Sequence, residues 1–544
     1  MTYHRILKVL LNYLAVISLV WGGVTLPSVA LAQNTTDSGN TGPDVLEGLR
    51  IVEQDGRKLV ELKLAEVLAM ALERANQIQQ AKLARDIATS QLVAAESLNS
   101  ATLTNKAGFG RSATSSSSTD NFTNVIRSDA TSLSTEFKKK TRSGIEYGLR
   151  LTEQQSAYTL LGIPSAGDTP TELAPSSDPL HTNTLTGTIT VPLGQDFGTT
   201  VGGIPVRMGT IGVERSEHAS RRDTLAIMAM IAGVYWNMVE LQEQIRVQQE
   251  AVKLSDQLLK DNQIRLEAGV LSPADVKVSE TQLARDRQIL LTLQSSVLRA
   301  EDQARTVLNL EELVDYGLLP ADTPQVRKPP ADFQTLLKKT YDSHPNLGLT
   351  QAALDYNAQE LLSAENKDRT NLDLQLYYTM TGYSDATLGG TAGFSQSDLT
   401  GYGASITWTI PLFDHVSEQT VMQKQLERQQ LELQRRSVKS ELSVQLQSLL
   451  RSLTLSQQEV DTAGVSVSLA NELLQNEIER FKLGKSTSYR VSQAQQDLAQ
   501  ARRQEILARV GFERTFLDLL ILTDGLFDFY GLQSPFPTPT KNSQ

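Results

Sequence analysis

The sequence predicts a mostly α-helical protein with a small β part, built from one internal repeat. Three observations predict this class. Two distant segments resemble each other, each repeat runs through long helical periodicity to a glycine, and each carries short segments with period-two alternation. The 544 residues suffice for several domains or for one large elongated one.

The first residues have the composition of a secretory signal peptide. Arg5 and Lys8 precede an apolar run, and Ala-Leu-Ala at 30–32 provides a small-residue cleavage site. The alternative is a membrane-anchor helix, against which Pro27 argues. We therefore predict a signal peptide over 1–32 and an exported mature chain. No later run offers 18 uninterrupted apolar residues, so any further membrane span must use strands.

Composition excludes several classes of function. The net charge of -11 argues against a nucleic-acid partner. The chain has no cysteine, which rules out disulfides and thiolate metal sites. Its five histidines are scattered, and no Ser/His/Asp set stands out. We therefore predict no catalytic residues, no metal and no cofactor, and a protein that is not an enzyme.

The internal repeat is clearest around two glycines. A shift of 215 residues aligns Gly269 with Gly484 and places LSDQLLKDNQIRLEAG on LANELLQNEIERFKLG. Upstream, TITVPL resembles TWTIPL, and LVAAES resembles LLSAEN. We predict a first repeat over 62–310 and a second over 330–525. The remaining segments are an N-terminal segment at 33–61, a linker at 311–329 and a C-terminal tail at 526–544.

The first repeat is about 50 residues longer than the second before its proline corner. The extra residues fall in SATSSSSTDNFTN (112–124) and LLGIPSAGDTPTELAPSSDPLHTN (160–183), which are rich in Ser, Thr, Pro and Gly. This composition is typical of turns and polar segments, so we predict polar loops there.

Each repeat also predicts a very long helix. In the second repeat it runs from about residue 414 to residue 483, and seventy residues at 1.5 Å each span roughly 105 Å. Val460, Val467 and Leu474 follow a heptad step, and Leu469 and Leu473 form a second line to one side. Two stripes suit a helix with neighbours on both sides, as in a ring. An ordinary coiled-coil rod remains the alternative.

Four short segments, two in each repeat, alternate apolar and polar residues. In NLDLQLYYTM (371–380) and GYGASITWTIP (401–411) the apolar side chains share one face, and two segments of the first repeat behave alike. Such strands suit a membrane barrel, although a soluble sheet packed on helices is the alternative. Four strands cannot close a barrel, so spanning requires several copies. The residues predicted to face lipid are Leu149, Ile189, Leu374, Tyr378, Ile406 and Trp408; the strand-to-helix corners are Pro192 and Pro411.

Taken in order, these segments resemble the TolC-type outer-membrane efflux family over about residues 62–525. The resemblance is carried by LKLAEVLAMALERANQIQQAKL (62–83), LLKKTYDSHPNLGLTQAAL (336–354), the stretch 233–276 and ITWTIPLFD (406–414). Each is weak alone, but their order, repeated behind a signal peptide, is specific.

The resemblance implies a homotrimer in outer-membrane lipid. Twelve strands, four from each chain, would form a β-barrel continued by a long periplasmic α-helical barrel of coiled-coil hairpins. The family exports small toxic molecules, or proteins in type I secretion. It docks on a periplasmic adaptor joined to an inner-membrane transporter of the ABC or RND type. The hairpin tips that would contact the adaptor are Ala268, Gly269, Val270 and Leu271, and Leu483, Gly484, Lys485 and Ser486.

Two other classes compete with a passive duct. A periplasmic coiled-coil spacer or tether would need no barrel and would be found in the soluble periplasmic extract. A secreted enzyme on a helical scaffold would need a catalytic constellation, and the sequence offers none. The residues do not decide the cargo.

Overall fold

A computed structural model describes residues 50–54, 57–119, 122–164, 171–174, 180–328, 332–384, 399–410, 412 and 415–536. The chain divides into two units, Met1–Ile51 and Val52–Gln544. Within the first unit only residues 50 and 51 are described, so the predicted signal peptide lies outside the described residues. The account below concerns the second unit.

Helices make up most of the described chain. They are α1 (Leu64–Arg74), α2 (Asn76–Ser97), α3 (Thr199–Gly202), α4 (Ile204–Glu267), α5 (Pro273–Leu308), α6 (Phe333–Ser343), α7 (Pro345–Lys367), α8 (Val416–Lys482), α9 (Ser488–Leu522) and α10 (Leu526–Tyr530).

The strands form a small sheet and a large one. They are β1 (Arg50–Gln54), β2 (Arg57–Leu62), β3 (Thr102–Thr119), β4 (Phe122–Lys140), β5 (Glu146–Pro164), β6 (Thr171–Ala174), β7 (Leu180–Pro192), β8 (Gly317–Pro320), β9 (Asn371–Ser384) and β10 (Thr400–Thr409). In the small sheet, β2 pairs in parallel with β8.

Both repeats begin with the same broken helix. α1 stops at Ala75 and α2 continues from it, while α6 stops at His344 and α7 continues. Both break residues have extended backbones, with φ and ψ of -62° and 117° at Ala75 and -68° and 125° at His344. In α7 the ring Nδ1 of His344 accepts a hydrogen bond from the Asn346 amide at 3.2 Å. The internal repeat is therefore also a structural one.

Each repeat then contains a helical hairpin. α4 and α5 form the first hairpin, and α8 and α9 form the second. α8 has 67 residues, or about 100 Å of helix, which confirms the long helix expected from the sequence. Within Thr199–Glu267, one window of 18 residues is apolar enough to cross a membrane, but 56% of that window is buried inside the fold. Its apolar residues are therefore accounted for by core packing.

The core lies where the hairpins, the broken helices and the small sheet meet. The Tyr235 hydroxyl of α4 donates to the Asp322 carboxylate at 2.6 Å and lies 3.1 Å from the Leu62 carbonyl. The Asp322 carboxylate also accepts from the Leu64 amide at 2.7 Å. These bonds fix the small sheet and the start of α1 on the first long helix.

The large sheet corrects the prediction for the first repeat. Its strand order is β10-β9-β7-β5-β4-β3, all antiparallel, with β6 paired to the far part of β5. The stretches expected to be polar loops, 112–124 and 160–183, instead lie largely in β3, β4, β5, β6 and β7. The first repeat therefore supplies four long strands, not two. The backbone N–H and C=O groups of these Ser- and Thr-rich stretches bond to the neighbouring strands, so their composition does not require a loop.

Candidate functional site: a two-faced sheet and two helix tips

One face of the large sheet is apolar across all six long strands. A single row of paired residues crosses them in strand order: Leu103, Phe137, Leu149, Gly187, Tyr378 and Tyr402. The apolar side chains of this row are exposed, from 42% at Phe137 to 85% at Tyr402. An exposed apolar surface of this extent on a sheet indicates contact with a partner or with lipid.

The opposite face carries charges near the helical end of the sheet. Arg150 of β5 donates to the Glu136 carboxylate of β4 at 2.7 Å, and Lys138 lies 3.0 Å from Glu146. Cross-strand ion pairs of this kind belong on a surface that faces water. The sheet therefore separates an apolar side from an aqueous one.

The structure places the predicted strand residues together. Leu149, Ile189, Tyr378, Ile406 and Trp408 are exposed on the apolar face, where Leu374 is half-buried and pairs with Ile406. Strand alternation alone was enough to group them.

The predicted corners lie at the helical end of the sheet. Pro192 is the last residue of β7 and is buried, but a loop over 193–198 separates it from α3. That loop is fixed by Asn366, whose side chain accepts from the Asp196 amide at 3.0 Å and donates to its carboxylate at 2.8 Å. Pro411 lies outside the described residues.

The predicted tips are two matching turns. Gly269 and Gly484 have φ angles of 73° and 69°, a conformation that favours glycine. The amide of Val270 donates to the Arg265 carbonyl at 2.9 Å, and that of Lys485 donates to the Arg480 carbonyl at 2.8 Å. Both turns are Schellman C-caps, which satisfy the last carbonyls of a helix while the chain reverses.

The two tips differ in what they expose. Val270 and Leu483 project into solvent at 73% and 70% exposure, and Lys485 is exposed beside Leu483. Leu271 is half-buried against a small core shared by the two hairpins, and Ser486 donates to the Glu477 carboxylate. Two exposed apolar side chains at neighbouring helix ends provide a surface for another protein.

The tips are also linked to each other. The Arg265 guanidinium lies 4.4 Å from the centre of the Phe481 ring and donates to the Phe481 carbonyl at 3.3 Å. Near the tips a groove of about 620 Å³ lies between α5 and α9. It is lined by Lys277, Val278, Arg285, Tyr489, Gln493 and Gln496, among others.

A buried polar ladder inside the first hairpin was not predicted. The Asp286 carboxylate accepts from the hydroxyl of Ser255 at 2.5 Å and from the amide of Gln282 at 3.1 Å, while Gln248 donates to the Asp286 carbonyl at 3.1 Å. All four side chains are buried. The signal was available, because Gln248 and Ser255 lie seven residues apart on the inner stripe of a heptad pattern.

Comparison with known proteins gives a family match over part of the chain and a fold for most of it. Residues 170–310 match the family described as outer membrane efflux protein. No curated protein sequence matches the chain.

Similar solved structures cover most of the chain. The CmeC outer membrane channel of Campylobacter jejuni has a TM-score of 0.62 at 13% identity, over 85% of this chain and 86% of that one. The outer membrane protein VceC of Vibrio cholerae has a TM-score of 0.57 at 16% identity, over 86% and 96%. The open-state MtrE outer membrane channel of Neisseria gonorrhoeae has a TM-score of 0.56 at 16% identity, over 85% and 89%.

At identities this low the solved structures show the fold alone, and the sequence match to the family is confined to residues 170–310. The repeated hairpins and the sheet that joins them are the parts that this fold requires. Residues 170–310 are therefore similar to the outer membrane efflux protein family, and the chain as a whole has the fold of these outer membrane channels.

Proposed function

We propose that this protein is the outer-membrane exit duct of a tripartite efflux or type I secretion system. It passively conducts cargo that an inner-membrane transporter delivers through a periplasmic adaptor. The single observation that carries the proposal is the two-faced sheet, whose helical end leads directly into two helical hairpins. An apolar outer face and a charged inner face are what a barrel needs to hold water inside lipid.

The sheet face gives the membrane position. Leu149, Ile189, Tyr378, Ile406 and Trp408 face the hydrocarbon of the outer membrane, together with half-buried Leu374. Tyr402 and Trp408 add aromatic rings of the kind found at membrane interfaces. The corner at Pro192 turns the chain from the membrane towards the periplasm.

The open edges of the sheet support an assembly of several copies, which we propose is a homotrimer. Among the described strands β3 and β10 each pair with one neighbour, and unpaired strand edges are not tolerated in lipid. α8 also exposes a row of apolar side chains that its own chain does not cover. These are Met422, Leu426, Leu433, Val444, Leu455, Val465, Leu469 and Leu473. Copies packed side by side cover this row.

The adaptor docks at the hairpin tips. Ala268, Gly269 and Val270 on one tip, with Leu483, Gly484 and Lys485 on the other, form a small exposed surface with one positive charge. Leu271 and Ser486 support it from below. The adjoining groove between α5 and α9 offers the partner a second contact surface.

The protein acts without catalysis. The similar solved structures CmeC and MtrE are described as outer membrane channels. Transport energy therefore comes from the inner-membrane transporter, of the ABC or RND type.

Electron microscopy and conductance together test the duct. Protein extracted from outer membranes in mild detergent should show threefold particles with a tube beneath a detergent belt. The same protein should give discrete conductance steps in planar lipid bilayers. A chain that stays soluble without detergent and gives no steps would instead be a periplasmic spacer.

The tips are tested separately. Val270→Asp with Leu483→Asp places two charges on the exposed apolar surface, so efflux of ethidium from host cells should fall at least tenfold. Conductance steps in bilayers should remain, because the wall is unaltered. Leu291→Asp, a control at an exposed position of α5 outside the groove and away from the turn, should retain most efflux. Full efflux by the tip variant would exclude docking at this surface.

A further inference from the structure

The large sheet contains two more long strands than the family resemblance implies. β3 and β4 form a hairpin of 18 and 19 residues that extends the sheet beyond β5. We propose that this hairpin is part of the membrane wall. Three copies then close an 18-stranded barrel in which β3 of one copy pairs with β10 of the next. This inference rests on the proposed function as a trimeric outer-membrane duct.

The hairpin carries the same two faces as the rest of the sheet. Leu103 pairs with Phe137, and Phe137 pairs with Leu149 of the neighbouring strand, so the apolar row continues without interruption. On the other side Glu136 and Lys138 of β4 form ion pairs with Arg150 and Glu146 of β5. A hairpin standing clear of the bilayer has no need to repeat an exposed apolar face.

The apolar band is slanted, and the hairpin follows the slant. Leu103 and Tyr402 lie on the same row of pairs. On β10 the apolar residues run from Tyr402 to Trp408, towards the helices, whereas on β3 they run from Leu103 to Phe109, away from them. The centre of the band thus shifts by about one residue per strand. At about 3.3 Å rise and 4.8 Å strand spacing, this is a tilt of roughly 35–40°.

That tilt is the one membrane barrels use. Strands of such barrels are inclined by about 35–45° around an apolar band about 25 Å tall. The far limit of the band on the hairpin agrees with that height. Arg111 donates to the Asp129 carboxylate at 2.9 Å on the same face, eight residues or about 26 Å along the strand from Leu103, which at this tilt is a height of about 20–22 Å. This exposed ion pair marks where the hairpin leaves the hydrocarbon.

The ends of the hairpin sit at the level of the other strands. The turn 141–145 joins β4 to β5 on the helical side, and the Gly198 amide of the corner after β7 donates to the Ser143 carbonyl at 3.1 Å. The six long strands alternate in direction, so β3 runs away from the helices and β10 runs towards them. The two edges are therefore antiparallel, and three copies close with an even number of strands.

The slant also fixes the seam between copies. If the band stays level from one copy to the next, its centre on β10 lies within about one residue of its centre on β3, as between neighbouring strands of one copy, and we propose the register in which the two centres are adjacent. Ala404 then lies opposite Ala107, both on the apolar face. A wall of 18 strands leaves an aqueous lumen like that of a 16–18-stranded porin. The duct then admits wider cargo than a 12-stranded wall.

Cysteine cross-linking tests the seam in the full-length protein, because the chain has no cysteine of its own. The variant Ala107→Cys with Ala404→Cys should form disulfide-linked dimers and trimers on oxidation in outer membranes. The matched variant Leu149→Cys with Ala404→Cys would cross-link only in a 12-stranded wall, in which β5 of one copy pairs with β10 of the next. We expect no cross-link from it. Each single-cysteine variant gives the background.

Strand counting by cryo-electron microscopy of the unmodified protein gives an independent measurement. Eighteen strands with the Ala107–Ala404 cross-link support the inference. Twelve strands, or the Leu149–Ala404 cross-link, overturn it while leaving the trimeric duct intact. A protein that gives neither cross-link and no barrel at all fails the proposed function itself.

Discussion

The two helical hairpins share a backbone and differ in what holds them together. Near its tip the first hairpin is joined by the ladder of Gln248, Ser255, Gln282 and Asp286. A shift of 215 residues places alanine at the positions equivalent to Gln248, Ser255 and Asp286, which are Ala463, Ala470 and Ala501, and places Asp497 at the position equivalent to Gln282. The second hairpin is held instead by an apolar core.

This difference teaches that one hairpin geometry can be stabilised in two ways. Buried hydrogen bonds add little net free energy but accept only one register, because a shifted helix leaves a carboxylate unpaired. Apolar packing gives more free energy and tolerates small shifts. The first hairpin is therefore the rigid member, and the second is the one that can adjust its register.

The largest effect is expected in the apolar hairpin. Leu474 is 1% exposed, so Leu474→Ala should leave a cavity in the core and lower the free energy of unfolding of this hairpin by about 2–5 kcal/mol. Amide exchange at the tip of α8 should accelerate more than tenfold by mass spectrometry. The equivalent Leu259→Ala in the first hairpin removes a half-buried side chain and should cost less. Equal effects would contradict the difference between the hairpins.

The ladder should respond differently to one change and to several. Asp286→Ala leaves Ser255 and Gln282 buried without their acceptor and should cost about 1–3 kcal/mol in the opening free energy of α5. The combination of Gln248→Ala, Ser255→Ala and Asp286→Ala copies the second hairpin and should cost no more than the single change. A strictly additive loss would mean that these side chains act by packing alone.

The glycines of the two tips should be equivalent. A Cβ added at Gly269 or Gly484 would contact no neighbouring atom, so Gly269→Ala and Gly484→Ala should each cost about 1–2 kcal/mol of stability through the positive φ alone. Exchange of the adjoining helix ends should accelerate equally. An unequal response would show that one tip is strained beyond its glycine.

The smallest effect concerns the broken helices, where only the second repeat has a titratable cap. Burial lowers the pKa of His344 to about 4, and its neutral Nδ1 caps α7. Because this pKa lies below the unfolded value of 6.5, the cap is fully present above pH 6.5 and is lost as pH falls through 4. The start of α7 should lose about 1 kcal/mol of protection. His344→Asn should flatten the dependence; α2, capped by Ala75, provides the internal control.

Much of this architecture could be read from the residues. Gly269 and Gly484 marked the turns because few other residues accept their φ, and heptads predicted α8 within a few residues. β3 and β4 were missed because Ser- and Thr-rich segments have the composition of turns, and their pairing partners are invisible in one sequence. The ladder was missed because Asp286 is as polar as a surface residue until its partners are known.

The strands of the first repeat are longer than a bilayer is thick. β5 has 19 residues, about 60 Å, against a hydrocarbon layer of about 30 Å, whereas β10 has only 10. About half of β3, β4 and β5 must then stand in water outside the cell. A thiol-directed dye that cannot cross membranes should therefore label Ser112→Cys on intact cells. Antibodies and bacteriophages outside the cell would therefore contact the first repeat, so the longer copy of this duplicated chain would be the one exposed to recognition.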